Sequence, residues 1–265
     1  MTRHLLTGTE LDREELLALL DRADALKAAP LSSRALEGRS IALIFEKPST
    51  RTRLSFEAGV FELGGQPVVL RSGELQLSRG ESVGDTARIL SRHMAAIGVR
   101  TGPHALLEEL AAEATVPVFN MLTAGHHPCQ ALADLMTLRE QFGRLEGLKI
   151  AYVGDGNNVA RSLALVGAIA GVEVAVASPD GYTLSGVPGA LLTGDPAEAV
   201  AGAHAIYVDV WVSMGDEETA DERRGALAPY RLDDALLDLA APGAIALHCL
   251  PAHPGEEITA ELLYG

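Results

Sequence analysis

The sequence predicts an α/β protein made of two doubly wound parallel-sheet domains, with an active-site cleft between them. Short apolar segments of strand length alternate with helical patterns along the whole chain, which is typical of parallel sheets whose strands are connected by helices. Most of these segments are continuously apolar, as expected for strands covered on both faces. A chain of 265 residues is long enough for two domains of ordinary size.

Eight segments are predicted as strands, four in each half: Ile41–Phe45, Val68–Leu70, Ala95–Val99, Val116–Phe119, Ile150–Val153, Val172–Ala177, Ala205–Val210 and Ile245–Cys249. The predicted helices are Glu10–Lys27, Arg51–Leu63, Ser82–His93, Ala105–Ala112, Pro128–Phe142 and Val159–Ala170. The helix Pro128–Phe142 ends near Gly143 and a new strand begins near Leu148, so we expect domains of residues 1–143 and 144–265. The segment Tyr182–Pro196 has little room for a helix.

Composition and charge indicate a cytoplasmic protein that binds neither nucleic acid nor membrane. The formal net charge of -15 repels a phosphate backbone, so an anionic substrate needs a site with its own positive charge. No apolar run approaches the roughly 20 residues that span a bilayer, and the first residues lack a signal-peptide pattern. The two cysteines, Cys129 and Cys249, suit a reducing compartment.

A cluster of hydroxyl and guanidinium groups is predicted at the start of the second helix. After the strand Ile41–Phe45, the residues Ser49-Thr50-Arg51-Thr52-Arg53 open a helix that Gly64-Gly65 ends. The free amide groups and the dipole of a helix amino end favour anions, and arginines supply forked donors to phosphate oxygens. An N-cap residue with solvated arginines is the structural alternative to a phosphate site.

Two further segments carry polar side chains suited to a small bound group. Arg100 follows the strand Ala95–Val99, and the carboxyl ends of parallel strands face the ligand crevice. His127 and Gln130 lie three residues apart at the start of a helix, where Pro128 is acceptable in the first turn. Taken as an isolated pair, a capping histidine and an exposed glutamine are the favoured interpretation.

The second half offers candidates for another substrate. Gly154-Asp155-Gly156-Asn157-Asn158 is close to a dinucleotide-binding turn, although its glycine spacing fits only in part. Asp209 at the end of an apolar strand and Ser213 four residues later predict a polar pair at a cleft edge, and Trp211 is expected in the core.

The segment His248-Cys249-Leu250-Pro251-Ala252-His253 invites a metal-site interpretation. However, His248 and Cys249 are expected to point to opposite faces of a strand, and no second cluster has zinc-like spacing. A buried free cysteine is the more ordinary interpretation. We therefore predict no metal.

These segments resemble the signatures of the aspartate/ornithine carbamoyltransferase family, in the family's order. Phe45–Arg53 resembles the carbamoyl-phosphate signature, His127–Gln130 the second signature and His248–Pro251 the third, while Asp209–Gly215 resembles the loop that recognises ornithine. The resemblance implies transfer of the carbamoyl group from carbamoyl phosphate to the δ-amine of L-ornithine, giving L-citrulline and phosphate. It implies no cofactor, and assembly as a homotrimer or a multiple of trimers.

Residue roles are also implied by the resemblance. Carbamoyl phosphate would be bound by Ser49, Thr50, Arg51, Thr52, Arg100, His127 and Gln130, with Gln76 contributed by a neighbouring subunit. Ornithine would be bound by Asn158, Asp209, Ser213, Met214, Cys249 and Leu250, with a cis Leu250–Pro251 bond. Arg100, His127 and Cys249 would be catalytic, and Arg53 structural.

Two departures from the family pattern keep alternatives open. The family usually has arginine where this chain has Pro254, and it continues to a further arginine and a closing helix, whereas this sequence stops at Gly265. An inactive carbamoyltransferase-like binding subunit is therefore one alternative. Transfer to a related amine, such as putrescine or an acylated ornithine, is another, and a nucleotide-dependent oxidoreductase is a third.

Overall fold

The computed structural model describes residues 2–76, 80–213 and 215–265. The chain divides into two compact units, Met1–Leu132 and Ala133–Gly265. Each unit contains one parallel sheet, which confirms the predicted α/β class with two doubly wound halves. The domain boundary at residue 143 stays a prediction. Within the described residues, no helix combines the length and apolar character that crossing a membrane requires.

The first unit holds a four-stranded sheet in the order β2-β1-β3-β4. Its elements are α1 (Arg13–Ala28), β1 (Ser40–Phe45), α2 (Arg51–Glu62), β2 (Gln66–Arg71), a 3-10 turn (Ser72–Glu74), α3 (Val83–His93), β3 (Ala96–Arg100), α4 (His104–Glu113), β4 (Val118–Leu122) and the start of α5 (Pro128–Phe142). α1 begins with a capping box between Asp12 and Glu15, which satisfies two amide groups at its amino end.

Strand β1 is continuously apolar from Ile41 to Phe45 because both of its faces are covered. Ala42 and Ile44 belong to a core cluster with Leu107 and Leu110 of α4. Leu43 and the other alternate residues of β1 belong to a second cluster with Val60 of α2. The continuous apolar pattern is therefore typical of a central strand in a sheet that has helices on both sides.

The register of this sheet brings the ends of all four strands to one edge. Phe45 at the end of β1 lies opposite Arg100 of β3 and Arg71 of β2, and Arg100 lies opposite Leu122 of β4. Gly98 in β3 leaves room for the ring of Phe119, since a Cβ atom there would lie 2.5 Å from two ring carbons.

The second unit holds a five-stranded sheet in the order β7-β6-β5-β8-β9. Its elements are the rest of α5, β5 (Lys149–Val153), α6 (Asn158–Ala170), β6 (Glu173–Ala177), β7 (Leu191–Thr193), α7 (Pro196–Val200), β8 (Ala205–Val208), a 3-10 turn (Glu217–Thr219), α8 (Ala220–Leu227), a 3-10 turn (Ala228–Tyr230), α9 (Asp234–Leu237), β9 (Ile245–His248) and α10 (Ala260–Tyr264). β7 lies within Tyr182–Pro196, the segment with little room for a helix, and α7 begins at the last residue of that segment.

Two predicted strands end earlier than expected. The strand predicted as Ala205–Val210 ends at Val208, and that predicted as Ile245–Cys249 ends at His248. Val208 and His248 are partners in the register of the sheet. Asp209 and Cys249 therefore both follow strand ends at the same edge, where side chains leave the pleat of the sheet.

The turn between β5 and α6 is covered by another part of the same unit. The amide of Gly156 donates to the carbonyl of Tyr182 at 2.8 Å. A Cβ atom on Gly156 would lie 2.6 Å from that carbonyl oxygen and 2.9 Å from the amide nitrogen of Leu184. Glycine is needed here because the backbone of 182–184 approaches so closely.

Candidate active site

The amino end of α2 lies directly after the loop that leaves β1. Thr50 precedes the helix, and its hydroxyl makes no capping hydrogen bond to it. The first amide groups of a helix have no partner within the helix. Arg51 and Thr52 occupy the first turn, so the segment carries the hydroxyl, guanidinium and amide donors that an anion requires.

Arg100 is joined to this helix by a direct hydrogen bond. As the last residue of β3, it donates from Nη1 to Thr52 Oγ1 at 2.8 Å. Burial lowers the pKa of Arg100, and the positive charge of Arg51 lowers it further. The partly buried guanidinium of Arg100 is therefore held near that of the exposed Arg51, an arrangement that an anion would stabilise.

His127 belongs to the same cluster. Its carbonyl accepts the first helical hydrogen bonds of α5, from the amides of Gln130 at 3.1 Å and Ala131 at 3.3 Å. Burial, with a contribution from the charge of Arg100, lowers the pKa of His127 from 6.5 to about 4. The imidazole is therefore neutral near pH 7. The structure thus brings Arg51, Thr52, Arg100 and His127 together, with Gln130 one turn into α5.

Glu46 is a residue that the sequence reasoning missed. Its Oε2 atom accepts from Thr101 Oγ1 at 2.5 Å and from the amide of Gly102 at 2.7 Å. Its own amide donates to the carbonyl of Arg100 at 2.9 Å. The hydrogen bond from Thr101, together with that from Gly102, lowers the pKa of Glu46. Glu46 therefore fastens the loop after β1 to the end of β3.

A cavity of about 400 Å³ borders the same loop. Its lining includes Lys47, Ser49, Thr50, Arg53 and Arg71. Arg53 also donates from Nε to Glu57 Oε1 at 3.0 Å, which fits the structural role expected for it.

Gln76 is exposed, and its carbonyl accepts from the amide of Glu81 at 3.1 Å. No described interaction joins its side chain to the Arg51–Arg100–His127 cluster within the parts of the chain that the structure covers.

Asp209 lies at the centre of a second polar cluster. Its Oδ1 atom accepts from the amide of Val210 at 2.8 Å and from Cys249 Sγ at 3.1 Å, and its Oδ2 atom accepts from Asn157 Nδ2 at 2.8 Å. Burial raises the pKa of the Cys249 thiol, and the carboxylate of Asp209 raises it further. Cys249 is therefore a neutral thiol that donates to a buried carboxylate.

Asn157 links this cluster to α6, although the sequence reasoning selected Asn158. The Oδ1 atom of Asn157 caps α6 by accepting from the amides of Val159 and Ala160, and it also accepts from the hydroxyl of Tyr152 at 3.2 Å. Asn158 is the first residue of α6. An asparagine directly before a helix is an N-cap signal, which could have identified Asn157.

Arg223 of α8 holds the segment that follows Asp209. It donates from Nε to the carbonyl of Trp211 at 2.7 Å and forms an ion pair with Asp155, and its guanidinium lies 5.1 Å from the ring centre of Tyr182. Trp211 is buried, which confirms that expectation. No sequence signal pointed to Arg223, because it lies twelve residues after the carbonyl that it contacts.

Of the two predicted loop residues beyond Trp211, the structure describes Ser213 but not Met214. The carbonyl of Ser213 accepts from the amide of Asp216 at 3.0 Å, and no hydrogen bond between Ser213 and Asp209 occurs among the residues described. Met214 lies outside the described residues.

The segment after β9 adopts the expected cis Leu250–Pro251 bond. The argument that His248 and Cys249 point to opposite faces was wrong. One ligand atom from each, with one from Asp209, lies within 4.8 Å of the others, because the strand ends at His248 and the alternation of side chains ends with it.

Comparisons with known proteins give a family match over nearly the whole chain. Residues 3–140 match the model of the aspartate/ornithine carbamoyltransferase carbamoyl-P binding domain, and residues 146–265 match that of the Asp/Orn binding domain. The chain is 53% identical over 280 residues to an ornithine carbamoyltransferase of Parafrankia sp. (strain EAN1pec), covering 99% of this chain and 88% of that protein. It is 48% identical over 276 residues to one from Bacillus subtilis (strain 168), covering 99% and 86%.

Solved structures give the same result. An ornithine carbamoyltransferase from Pyrococcus furiosus superposes with a TM-score of 0.92 at 44% identity, over 99% of this chain and 89% of that one. One from Thermus thermophilus gives a TM-score of 0.91 at 43% identity, over 100% and 91%.

Proposed function

Because the chain belongs to the aspartate/ornithine carbamoyltransferase family, we propose that it transfers the carbamoyl group of carbamoyl phosphate to the δ-amine of L-ornithine, releasing L-citrulline and phosphate. The observation that carries this proposal is the cluster of Arg51, Thr52, Arg100 and His127 at the amino end of α2. The relatives give no support to a related amine as acceptor or to an inactive binding subunit.

In this proposal the cluster binds both ends of carbamoyl phosphate. Arg51 with Ser49, Thr50 and the amides of the first turn holds the leaving phosphate. Arg100, Thr52 and His127 contact the carbonyl oxygen, and Gln130 the carbamoyl amide. Since its pKa is about 4, His127 contributes a neutral N–H donor rather than a charge. These donors stabilise the negative charge that develops on the oxygen as the amine attacks.

The second unit provides the groups for ornithine. A side-chain amine has an ordinary pKa near 10.4, so the δ-amine must lose a proton before it attacks. We assign Asp209 and Ser213, with Asn158 and Met214, to the α-amino-acid end, and Cys249 with the Leu250 carbonyl to the δ-amine. The carboxylate of Asp209 is fixed by three donors. A buried carboxylate suits a substrate that carries an ammonium group.

The function is tested by citrulline formation in arginine variants. Arg51→Ala and Arg100→Ala are expected to lower kcat by about 10²–10³ at saturating carbamoyl phosphate, as for loss of one oxyanion donor. Arg34→Ala is the matched control, because Arg34 is an exposed arginine that pairs only with Glu37 among the described ion pairs. Turnover of Arg100→Ala within a few-fold of the control would contradict the assignment.

Substrate choice is tested on the same protein. Ornithine, putrescine and an N-acylated ornithine are compared as acceptors, and ornithine is expected to give the highest kcat/KM. Asp209→Asn is expected to raise the KM for ornithine more than that for carbamoyl phosphate, since only the first substrate carries an ammonium group. An equal kcat/KM with putrescine would refute ornithine as the preferred acceptor.

The proposal also includes assembly as a homotrimer. The enzyme would work in the cytoplasm and serve arginine biosynthesis. An apolar stripe on α2 supports assembly, with Leu54 and Phe61 exposed to 60% and 69% and with Ala58 exposed between them. Adjacent subunits would bring Gln76 to the neighbouring site. Phe61→Glu is expected to be a monomer when its mass is measured by light scattering, and to form citrulline slowly. Tyr264→Glu, which changes another exposed aromatic residue, is expected to stay trimeric; a monomeric wild type would refute the assembly.

A further inference from the structure

The segment after β9 gathers three metal-ligating side chains in one tight turn. The amide of Gly255 donates to the carbonyl of Ile258 at 2.8 Å, and that of Glu256 to the carbonyl of His253 at 2.9 Å. The turn brings one ring nitrogen of His253 and one carboxylate oxygen each of Glu256 and Glu257 within 4.8 Å of one another. Ligands bound at about 2.0–2.2 Å from one ion lie roughly 3–4 Å apart, so small side-chain rotations would complete the site.

Buried oxygen atoms in this turn lack hydrogen-bond partners. Glu257 is completely buried, and its Oε1 atom accepts from His248 Nε2 at 3.0 Å and from the His253 amide at 2.6 Å. Among the residues that the structure describes, its Oε2 atom has no hydrogen-bond partner, and neither do Glu256 Oε2 and Thr259 Oγ1. Buried acceptors are nearly always paired, and a bound ion is one of the reasons for an exception.

The local charge is also unbalanced. Among the described ion pairs, the carboxylate of Glu257 is paired only with the imidazole of His248, at 3.0 Å. Glu256 is paired with the half-exposed Arg224 through a hydrogen bond of 3.1 Å. Arg224 also pairs with Asp221 at 3.7 Å, so Glu256 and Asp221 share one guanidinium.

We propose that His253, Glu256 and Glu257 form a binding site for a divalent first-row transition-metal cation. Imidazole with carboxylates favours Zn²⁺, Co²⁺ or Ni²⁺ over Mg²⁺ and Ca²⁺, and three protein ligands leave positions for water. His248 would orient Glu257 from behind, as partners of metal ligands commonly do. The cation would fix the segment that follows Cys249 and Leu250, and the proposal goes beyond carbamoyl transfer.

The test uses CoCl₂ with the full chain, by calorimetry and absorption spectroscopy. Wild type is expected to bind one Co²⁺ without the intense near-ultraviolet band of a thiolate ligand. His253→Ala and Glu256→Gln are expected to weaken this binding at least tenfold, and to abolish the rise in Tm that excess Co²⁺ gives to wild type. His93→Ala is the matched control, since His93 is another exposed histidine, and it should bind as wild type does.

A Cys249→Ser variant separates this site from the cluster of Asp209, His248 and Cys249. Retained binding with one equivalent of Co²⁺ supports the proposal. Binding that is lost in Cys249→Ser, or binding that persists unchanged in both His253→Ala and Glu256→Gln, would overturn it. So would the absence of binding to wild type at about 1 mM CoCl₂, a concentration far above the Kd of a specific site.

Discussion

Replacing Arg223 should separate the contribution of a buried ion pair to stability from its contribution to substrate binding. The side chains of Arg223 and Asp155 are exposed to only 13% and 15%. Burial raises the pKa of Asp155, and the charge of Arg223 opposes that rise. In Arg223→Met the carboxylate would lose its cation and stay buried. Breaking a buried pair costs about 3–5 kcal/mol, and we expect about 3 kcal/mol because some solvent reaches both groups.

The magnitude is measured by a double-mutant cycle with Asp155→Asn. Trp211 is the only tryptophan in the chain, and Arg223 contacts its carbonyl, so its fluorescence during urea unfolding reports on the second unit. We expect Asp155→Asn to cost about 1–2 kcal/mol. The free energy of unfolding that the double variant loses should be smaller than the sum of the losses in the two single variants. We expect a difference of about 2 kcal/mol, as for side chains in direct contact. Losses that add within about 0.5 kcal/mol would refute the coupling.

The kinetic part of the same prediction distinguishes the two substrates. Arg223 holds the backbone of Trp211, two residues before Ser213, so Arg223→Met should raise the KM for ornithine while the KM for carbamoyl phosphate stays the same. Arg224→Met is the matched control, because Arg224 is a neighbouring arginine with a half-exposed ion pair, which is worth at most about 1 kcal/mol. Equal changes in both KM values would show that Arg223 does not act through this segment.

Three further predictions follow from described contacts. Because the pKa of His127 is lowered from 6.5 to about 4, the unfolded chain binds a proton that the folded chain does not in this range, so stability falls as the pH decreases from 6.5 to 4. In His127→Gln this fall should be smaller, and identical Tm profiles would contradict the assignment. Glu46 has a lowered pKa, so its contribution to stability is present above the ordinary carboxyl pKa and is lost as the pH falls through the lowered value. Glu46→Gln should raise the KM for carbamoyl phosphate roughly fivefold, or about 1 kcal/mol, and should flatten this pH dependence. Glu74→Gln is the control, because among the described hydrogen bonds the Glu74 carboxylate accepts from the Arg71 amide alone, at 3.1 Å. An equal change in KM there would count against a special role for Glu46. Gly98→Ala should destabilise the first unit by about 1–3 kcal/mol in urea unfolding, because its Cβ would overlap the Phe119 ring. Gly59→Ala meets no atom within 4 Å and should stabilise α2 by up to about 1 kcal/mol; the opposite order of stability would contradict the packing.

The sequence predicted the elements that form around apolar cores. α5 was predicted with its observed bounds, Pro128–Phe142, since an N-terminal proline and a following glycine mark both ends. Two strand ends were predicted too late, because hydrophobicity continues beyond the last ladder hydrogen bond, as at Val210. β7 and α7 were missed because each is short, and a periodic pattern needs more residues than they contain.

The candidate site was predictable where several functional groups lie in one stretch of sequence. Arg51 and Thr52 are neighbours on one helix, and the strand order then brings Arg100 to them. Residues that act through a single long-range contact were not found. Arg223 contacts Asp155, which lies 68 residues earlier in the chain, and such a pair follows from the packing of the second unit rather than from any local pattern.

The closely covered turn at Gly156 has a consequence for how its glycines should be interpreted. In nucleotide-binding proteins, a glycine at this place lets the backbone approach a pyrophosphate. Here the carbonyl of Tyr182 and the amide of Leu184 already fill that space. A nicotinamide or flavin nucleotide could bind in that manner only by displacing the protein's own backbone. The glycine at this turn therefore allows two backbone segments of the same unit to pack closely against each other.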